Sequence, residues 1–318
     1  MNFNALYTVV AMMFVLMTVG FVCRKLNIIT DQALKVFSKI MLALGQPAMI
    51  INALAKTPYS HQNLKIAGIT TLLGLILHAA LAILGYFGAL PLKKFTEKRN
   101  IAEFAFTFAN CAFIGFPIFN ALFPELGSFM TSFLIISFQI YVWTWGLMIF
   151  ARDNKDIKIS VKSMFINLGT VPCAIGIVFF LLKHPSINFV LPEFITDALG
   201  YLQGICTPLS LLMIGALIAK QKPKQIFRSW HIYYFNVIKL FVMPLIVCLV
   251  CKLLGVPYMY AMFATAAAAL PSAASATMFA ETYGGDSEYA ALTVGTSSLI
   301  SVLSIPFILM IAEWIFAL

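Results

Sequence analysis

The sequence predicts an all-α membrane protein of about ten transmembrane helices, arranged as two inverted five-helix repeats. Three observations carry that prediction. Of the 318 residues, 61% are hydrophobic and 10% charged, with a mean hydropathy of +0.94, whereas a soluble domain carries roughly 25% charged residues. The apolar residues fall in runs of about the 20 residues that a helix needs to cross a bilayer. Prolines inside those runs also recur at matched places in the two halves.

The runs, taken in order, span residues 5–23, 33–54, 66–89, 101–123, 129–150, 163–182, 195–219, 230–254, 258–281 and 289–314. In the first, Arg24 and Lys25 follow the apolar stretch. A signal peptide carries its basic residues first, so this run reads as a membrane helix with its N-terminus outside. Lys39, Gln46, Pro47 and Asn52 interrupt the second, which is the weakest of the ten.

Lysine and arginine set the sidedness. Arg24, Lys25, Lys35, Lys93, Lys94, Lys98, Arg99, Arg152, Lys155, Lys158, Lys162, Lys220, Lys222, Lys224 and Arg228 accompany the loops after odd-numbered spans. Lys56, Lys65, Lys183 and Lys252 accompany those after even-numbered ones. Fifteen against four places both termini outside, in a multi-pass plasma (inner) membrane protein. The net charge of +9 is therefore loop charge and not a nucleic-acid surface.

The two halves, 1–158 and 159–318, echo each other. Span two contains QPAMIINALAK and span seven TPLSLLMIGALIAK; span four contains GFPIF and span nine ALPSA. Five spans per half is odd, so the second half lies upside down. Inverted repeats with paired broken helices are the architecture of secondary transporters, whose site lies near the midplane.

Several residues carry chemistry at that depth. Pro117 and Pro271 lack an N–H, which deprives the carbonyls of Phe113 and Ala267 of their helical donors and assigns the breaks to those prolines. Gly115 lets the backbone turn and admits a close neighbour. Asn110, two turns before Pro117, offers an amide that donates to a carboxylate, and Ser272 and Ser275 offer hydroxyls from the opposing helix. The same three residues would also serve plain helix–helix hydrogen bonding. Lys239 is a cation deep within span eight, where a charge is costly; it either attracts an anion or satisfies carbonyls freed by a broken helix. Gln139 is a donor and acceptor at similar depth. Cys111 points about 100° away from Asn110 on an ideal helix. Glu103, Asp197, Glu281 and Glu313 fall near span ends, within reach of water.

No acidic residue falls in the centre of a span, which argues for an anionic solute. The six cysteines show no metal-ligand spacing; Cys248 and Cys251 form a CxxC inside an apolar run. No HExxH motif and no pair of buried aspartates supports an enzyme, and no metal or cofactor is implied. A solute-binding sensor or a channel is the alternative to a carrier.

Asn110 to Pro117 reads NCAFIGFP, and residues 269–286 contain ALP and then FAETYGGD. With Lys239 and Pro244 in span eight and Gln139 and Trp143 in span five, the chain resembles the auxin efflux carrier family over nearly its whole length. The short loop at 152–162 is similar to that of bacterial permeases for malate and related organic anions. Ser275 departs from the family, many of whose members have Asn there. The resemblance implies crossed, broken helices four and nine, in the fold shared with bile-acid symporters and sodium–proton antiporters. It also implies an elevator-type mechanism, with spans three to five and eight to ten moving against a scaffold of spans one, two, six and seven. A homodimer in the lipid bilayer, with a small organic anion as solute, completes the expectation.

Overall fold

The computed structural model describes residues 3–152, 166–221 and 229–318. It is all-helical, and among the described residues the only β-type pairing is one isolated bridge. Helix α1 spans Phe3–Lys25, α2 Asp31–Lys56, α3 His61–Ala89, α4 Thr96–Thr107, α5 Cys111–Leu122 and α6 Gly127–Ala151. Then follow α7 (Thr170–Leu182), α8 (Glu193–Lys220), α9 (Trp230–Leu253), α10 (Tyr258–Ala269), α11 (Ser275–Tyr283) and α12 (Ser287–Ala317). Seven of these, α1, α2, α3, α6, α8, α9 and α12, are long and apolar enough to cross a membrane, whereas α5 and α7 are shorter apolar helices.

Helix starts follow their capping residues. The hydroxyls of Thr30 and Ser60 accept from the backbone N–H of Ala33 and Asn63, and the Asp286 carboxylate accepts from Tyr289. Each satisfies a donor that the first turn leaves without a partner. Helix α3 is apolar all round. One stripe (Leu72, Ile76, Ile83, Phe87) is exposed, while Gly74, Leu77, His78 and Leu81 are buried. An apolar face turned outward is what a membrane helix presents to lipid.

Four helices pass through a π turn: Met41–Gly45 in α2, Cys111–Gly115 in α5, Val142–Gly146 in α6 and Ile238–Val242 in α9. Pro47, Pro117 and Pro244 each stand two residues beyond such a turn. A proline ring clashes with the carbonyl four residues back, and the wider turn moves that carbonyl aside. The bonds Gln46 N–H to Met41 O and Met243 N–H to Ile238 O show the five-residue spacing. Pro117 therefore does not break its helix. The interruption lies earlier, at residues 108–110, and Gly115 is helical (φ −64°, ψ −46°). Gly115 does admit a close neighbour, since a Cβ there would meet Leu270 at 3.1 Å.

The basic helix ends are tied together. Arg24 and Lys220 both bind Asp31, at 2.8 and 3.1 Å, joining the ends of α1, α2 and α8. Arg152 grips Glu103 with two bonds of 2.5 and 2.6 Å and stacks over Tyr86 and Trp145. Glu103 is thus fully buried and ion-paired, not in reach of water as its position near a span end suggests. Six further basic loop residues, Lys155, Lys158, Lys162, Lys222, Lys224 and Arg228, and the repeat boundary at 158/159, lie outside the described residues.

Helices α1 and α8 approach each other closely through their backbones. A Cβ on Gly20 would run into the Leu212 backbone, and one on Gly215 into the Met17 carbonyl. Small residues that let backbones touch are a recurrent membrane-helix device. Gly215→Val should therefore force the pair apart and destabilise the protein by about 2–3 kcal/mol, read as a lowered melting temperature in detergent. Gly68→Val, where the added Cβ meets open space, serves as the control and should leave melting nearly unchanged.

Candidate functional site

The centre of the molecule is a junction of two interrupted helices. Helix α10 stops because Leu270, before Pro271, is held in the extended region (φ −62°, ψ 146°), as a residue preceding proline prefers. Helix α4 stops at Phe108, also extended (φ −103°, ψ 110°). The two extended pieces pair antiparallel, with Ala109 opposite Ser272. The Asn110 N–H donates to the Pro271 carbonyl at 2.8 Å, and the Ala273 N–H donates to the Phe108 carbonyl at 2.9 Å.

Side chains satisfy carbonyls that the end of α4 leaves over. The Ser272 hydroxyl donates to Ala105 O at 3.1 Å, and the Lys239 Nζ donates to Phe106 O at 2.9 Å. Behind them the Ser272 N–H donates to the Ser297 hydroxyl on α12 at 3.2 Å. Lys239 is 0% exposed, so of its two open roles the structure places the ammonium on a freed carbonyl. His78 and Asn236 serve packing. The His78 ring is stacked on Tyr141 with Nδ1 at the Gly74 carbonyl, and Asn236 donates to Thr296.

Beside the junction lies a cavity of about 400 Å³, within the range of small-molecule sites. Helices α5 and α11 both begin at its wall, through Asn110 with Cys111 and Ala274 with Ser275. Asn110 caps α5: its Oδ1 accepts from the Phe113 N–H at 3.2 Å. Its Nδ2, on a residue 3% exposed, has no partner, and neither has the Ser275 hydroxyl. Gln139 from α6 lines the same cavity and presses on Gly169, where a Cβ would overlap its amide. Phe138, Trp143, Met213 and Met278 supply apolar wall, and among the described residues none lining the cavity is charged.

The structure thus brings Asn110, Gln139 and Ser275 together. Pro271, Ser272 and Lys239 stand behind the wall as its support, and Gly115 and Pro117 lie further along α5. Cys111 lines the cavity next to Asn110, because Asn110 is a cap and not a helical residue, so the 100° offset does not apply. Sequence reasoning missed Ser38, Gln46 and Asn167 on the far wall. Asn167 did leave a signal. Its Oδ1 accepts from the N–H groups of Gly169 and Thr170, the start signature of a polar residue just ahead of an apolar run.

Two helix N-termini with a spare amide donor make a positive, uncharged cradle, and the apolar wall suits the body of a small organic solute. The two serines should separate on mutation. Ser272→Ala leaves the Ala105 carbonyl short of a donor and should cost about 1–3 kcal/mol of thermal stability. Ser275→Ala removes a hydroxyl without a partner and should cost less than about 0.5 kcal/mol.

The membrane transport protein family matches the chain over residues 5–309. An uncharacterized transporter of Methanocaldococcus jannaschii is 25% identical over 220 residues, which is 68% of this chain and 70% of that protein. The match bears out the resemblance carried by NCAFIGFP and by ALP with FAETYGGD. The chain belongs to the membrane transport protein family, the auxin efflux carrier group, and is an integral multi-pass membrane protein of a transporter family.

Proposed function

We propose that this chain carries a small organic anion, a mono- or dicarboxylate of the malate kind, across the plasma (inner) membrane by elevator-type alternating access. One observation carries the proposal: the unpartnered Asn110 Nδ2 and Ser275 hydroxyl belong to residues lining one cavity at which two helices begin. A carboxylate there would meet donors and partial positive charge without a fixed counter-ion to hold it permanently. Gln139 adds a donor from the side.

The ten-span inverted repeat is supported by the packing. Helices α4 with α5, and α10 with α11, count as one interrupted span each. Helix α1 packs on α8 as α2 packs on α7, and α3 packs on α4 and α6 as α9 packs on α10 and α12. These pairs exchange when the two halves are exchanged. The elevator reading draws on the cavity's two walls. Ser38, Asn167 and Met213 come from the scaffold group (α1, α2, α7, α8), and Asn110, Gln139 and Ser275 from the transport group. With the basic ends inside and both termini outside, Ser38, Trp143, Met213 and Met278 lie between the junction and the cytoplasm. That describes an inward-facing carrier. A homodimer through the scaffold follows the family resemblance.

The test is thermal unfolding of the purified protein with malate, malonate, oxalate, citrate, pyruvate and indole-3-acetate, against choline and neutral sugars. A ligand at about 100 times its dissociation constant stabilises by about 2.7 kcal/mol. Asn110→Ala should abolish the response and also cost about 1 kcal/mol as a lost cap. Asn110→Asp keeps an oxygen for Phe113 and should lose the anion response through repulsion, with a lowered melting temperature from the added buried charge. Stabilisation by a cation or sugar alone would sink the anion reading. Saturable flux of the stabilising anion in liposomes supports a carrier, whereas binding without flux would make the protein a sensor.

A further inference from the structure

Lys239 has a use that the carrier reading does not require. Interrupted helices leave carbonyls and a negative helix end pointing into the protein. In secondary transporters, such half-helix C-terminal ends and unwound carbonyls coordinate coupling cations. Here the corresponding end of α4 is already filled. The Lys239 ammonium sits on Phe106 O at 2.9 Å, and the Ser272 hydroxyl takes the adjacent Ala105 O at 3.1 Å.

Three further facts define the ammonium's place. It is completely buried and does not line the cavity. Arg24 and Lys220 pair with Asp31 and Arg152 pairs with Glu103, whereas among the described residues no carboxylate pairs with Lys239. Glu103, one turn before Phe106 on α4, is held by Arg152 instead. The ammonium's counter-charge is thus the backbone: the carbonyl end of α4. Lys239 stands on the π turn of α9, three residues after Asn236, which donates to Thr296 of α12. The tether therefore ties α9 and α12 to the junction from behind.

The geometry points to Lys239 as a resident cation that replaces a dissociable metal ion at the junction, so that the site assembles with no Na⁺ or K⁺ bound. A metal ion arriving a few ångströms away would face a like charge in a medium of low dielectric. Lys239 acts as a positioning residue through Phe106, three residues before the bridge residue Ala109 that precedes Asn110. Lys239 serves this way whatever solute the protein carries.

The experiment compares melting of the purified protein in sodium, potassium and choline chloride at equal ionic strength. The parent should melt alike in all three. Lys239→Ala, which empties the space, should melt about 5 °C or more lower in choline and recover part of that loss in sodium or methylammonium chloride. Lys239→Met, which fills the space without charge, should be lowered and recover in none. A parent stabilised by sodium or potassium over choline overturns the inference, and so does Lys239→Met melting with the parent. Lys239→Ala indifferent to every cation also overturns it. If Lys239→Ala does not fold, the parent's salt comparison and the Lys239→Met melt decide alone. Flux in liposomes adds a readout that simple packing would not move: replacing sodium by choline on both sides should change parental flux less than twofold. Failure of the organic-anion reading would appear in the solute panel and leave these salt comparisons intact.

Discussion

Hydrocarbon cannot hydrogen-bond a backbone, so every N–H and C=O at membrane depth must find a partner inside the protein. That constraint governs the middle of this molecule. Two helices stop there, and each stop strips a turn of its partners. The remedy is mutual: Asn110 and Ala273 donate across to the carbonyls of Pro271 and Phe108. Ser272 and Lys239 then cover carbonyls of α4. The two helix starts at the junction bring uncommitted groups such as the Asn110 Nδ2 to the cavity wall.

The long runs of the fold were legible because hydrophobicity over about 20 residues is a strong signal. Seven long apolar helices fall where seven of the runs lie. The interruption in run four was legible in kind but misplaced. Proline is the usual sign of a break, and Pro117 advertises one. The chain absorbs that ring in a π turn, as it does at Pro47 and Pro244. No proline marks residues 108–110. What stops α4 there is pairing with a segment more than 160 residues away, and a local reading has no access to that. Pro271, where the preceding residue is forced extended, is the case in which local and tertiary causes agree.

The candidate site divides the same way. Asn110, Gln139 and Ser275 stood out as polar residues in apolar runs, and all three line the cavity. Ser38 and Gln46 are equally polar but lie in the weakest run, among Lys39, Pro47 and Asn52, where one more polar residue carries no contrast. Glu103 was read as solvated because it lies near the end of a run. Its burial depends on Arg152, which follows a different helix, so the pairing is tertiary and invisible to spacing.

That no charged residue lines the cavity among the described residues has a consequence for turnover. A carrier must release what it binds, and a lysine or arginine in direct contact with a carboxylate would form a charge-assisted pair that slows release. Placing Lys239 behind the junction, with its hydrogen bond on Phe106 O, separates two effects that contact would combine. The positive potential of a buried ammonium still reaches the cavity, because low dielectric screens it weakly. In the proposed carrier, hydrogen bonds to the solute would come instead from neutral donors, strong enough to orient an anion and weak enough to let it leave. Moving that ammonium into the wall would raise affinity and slow release, so the distance between Lys239 and the cavity is itself part of how such a carrier would work.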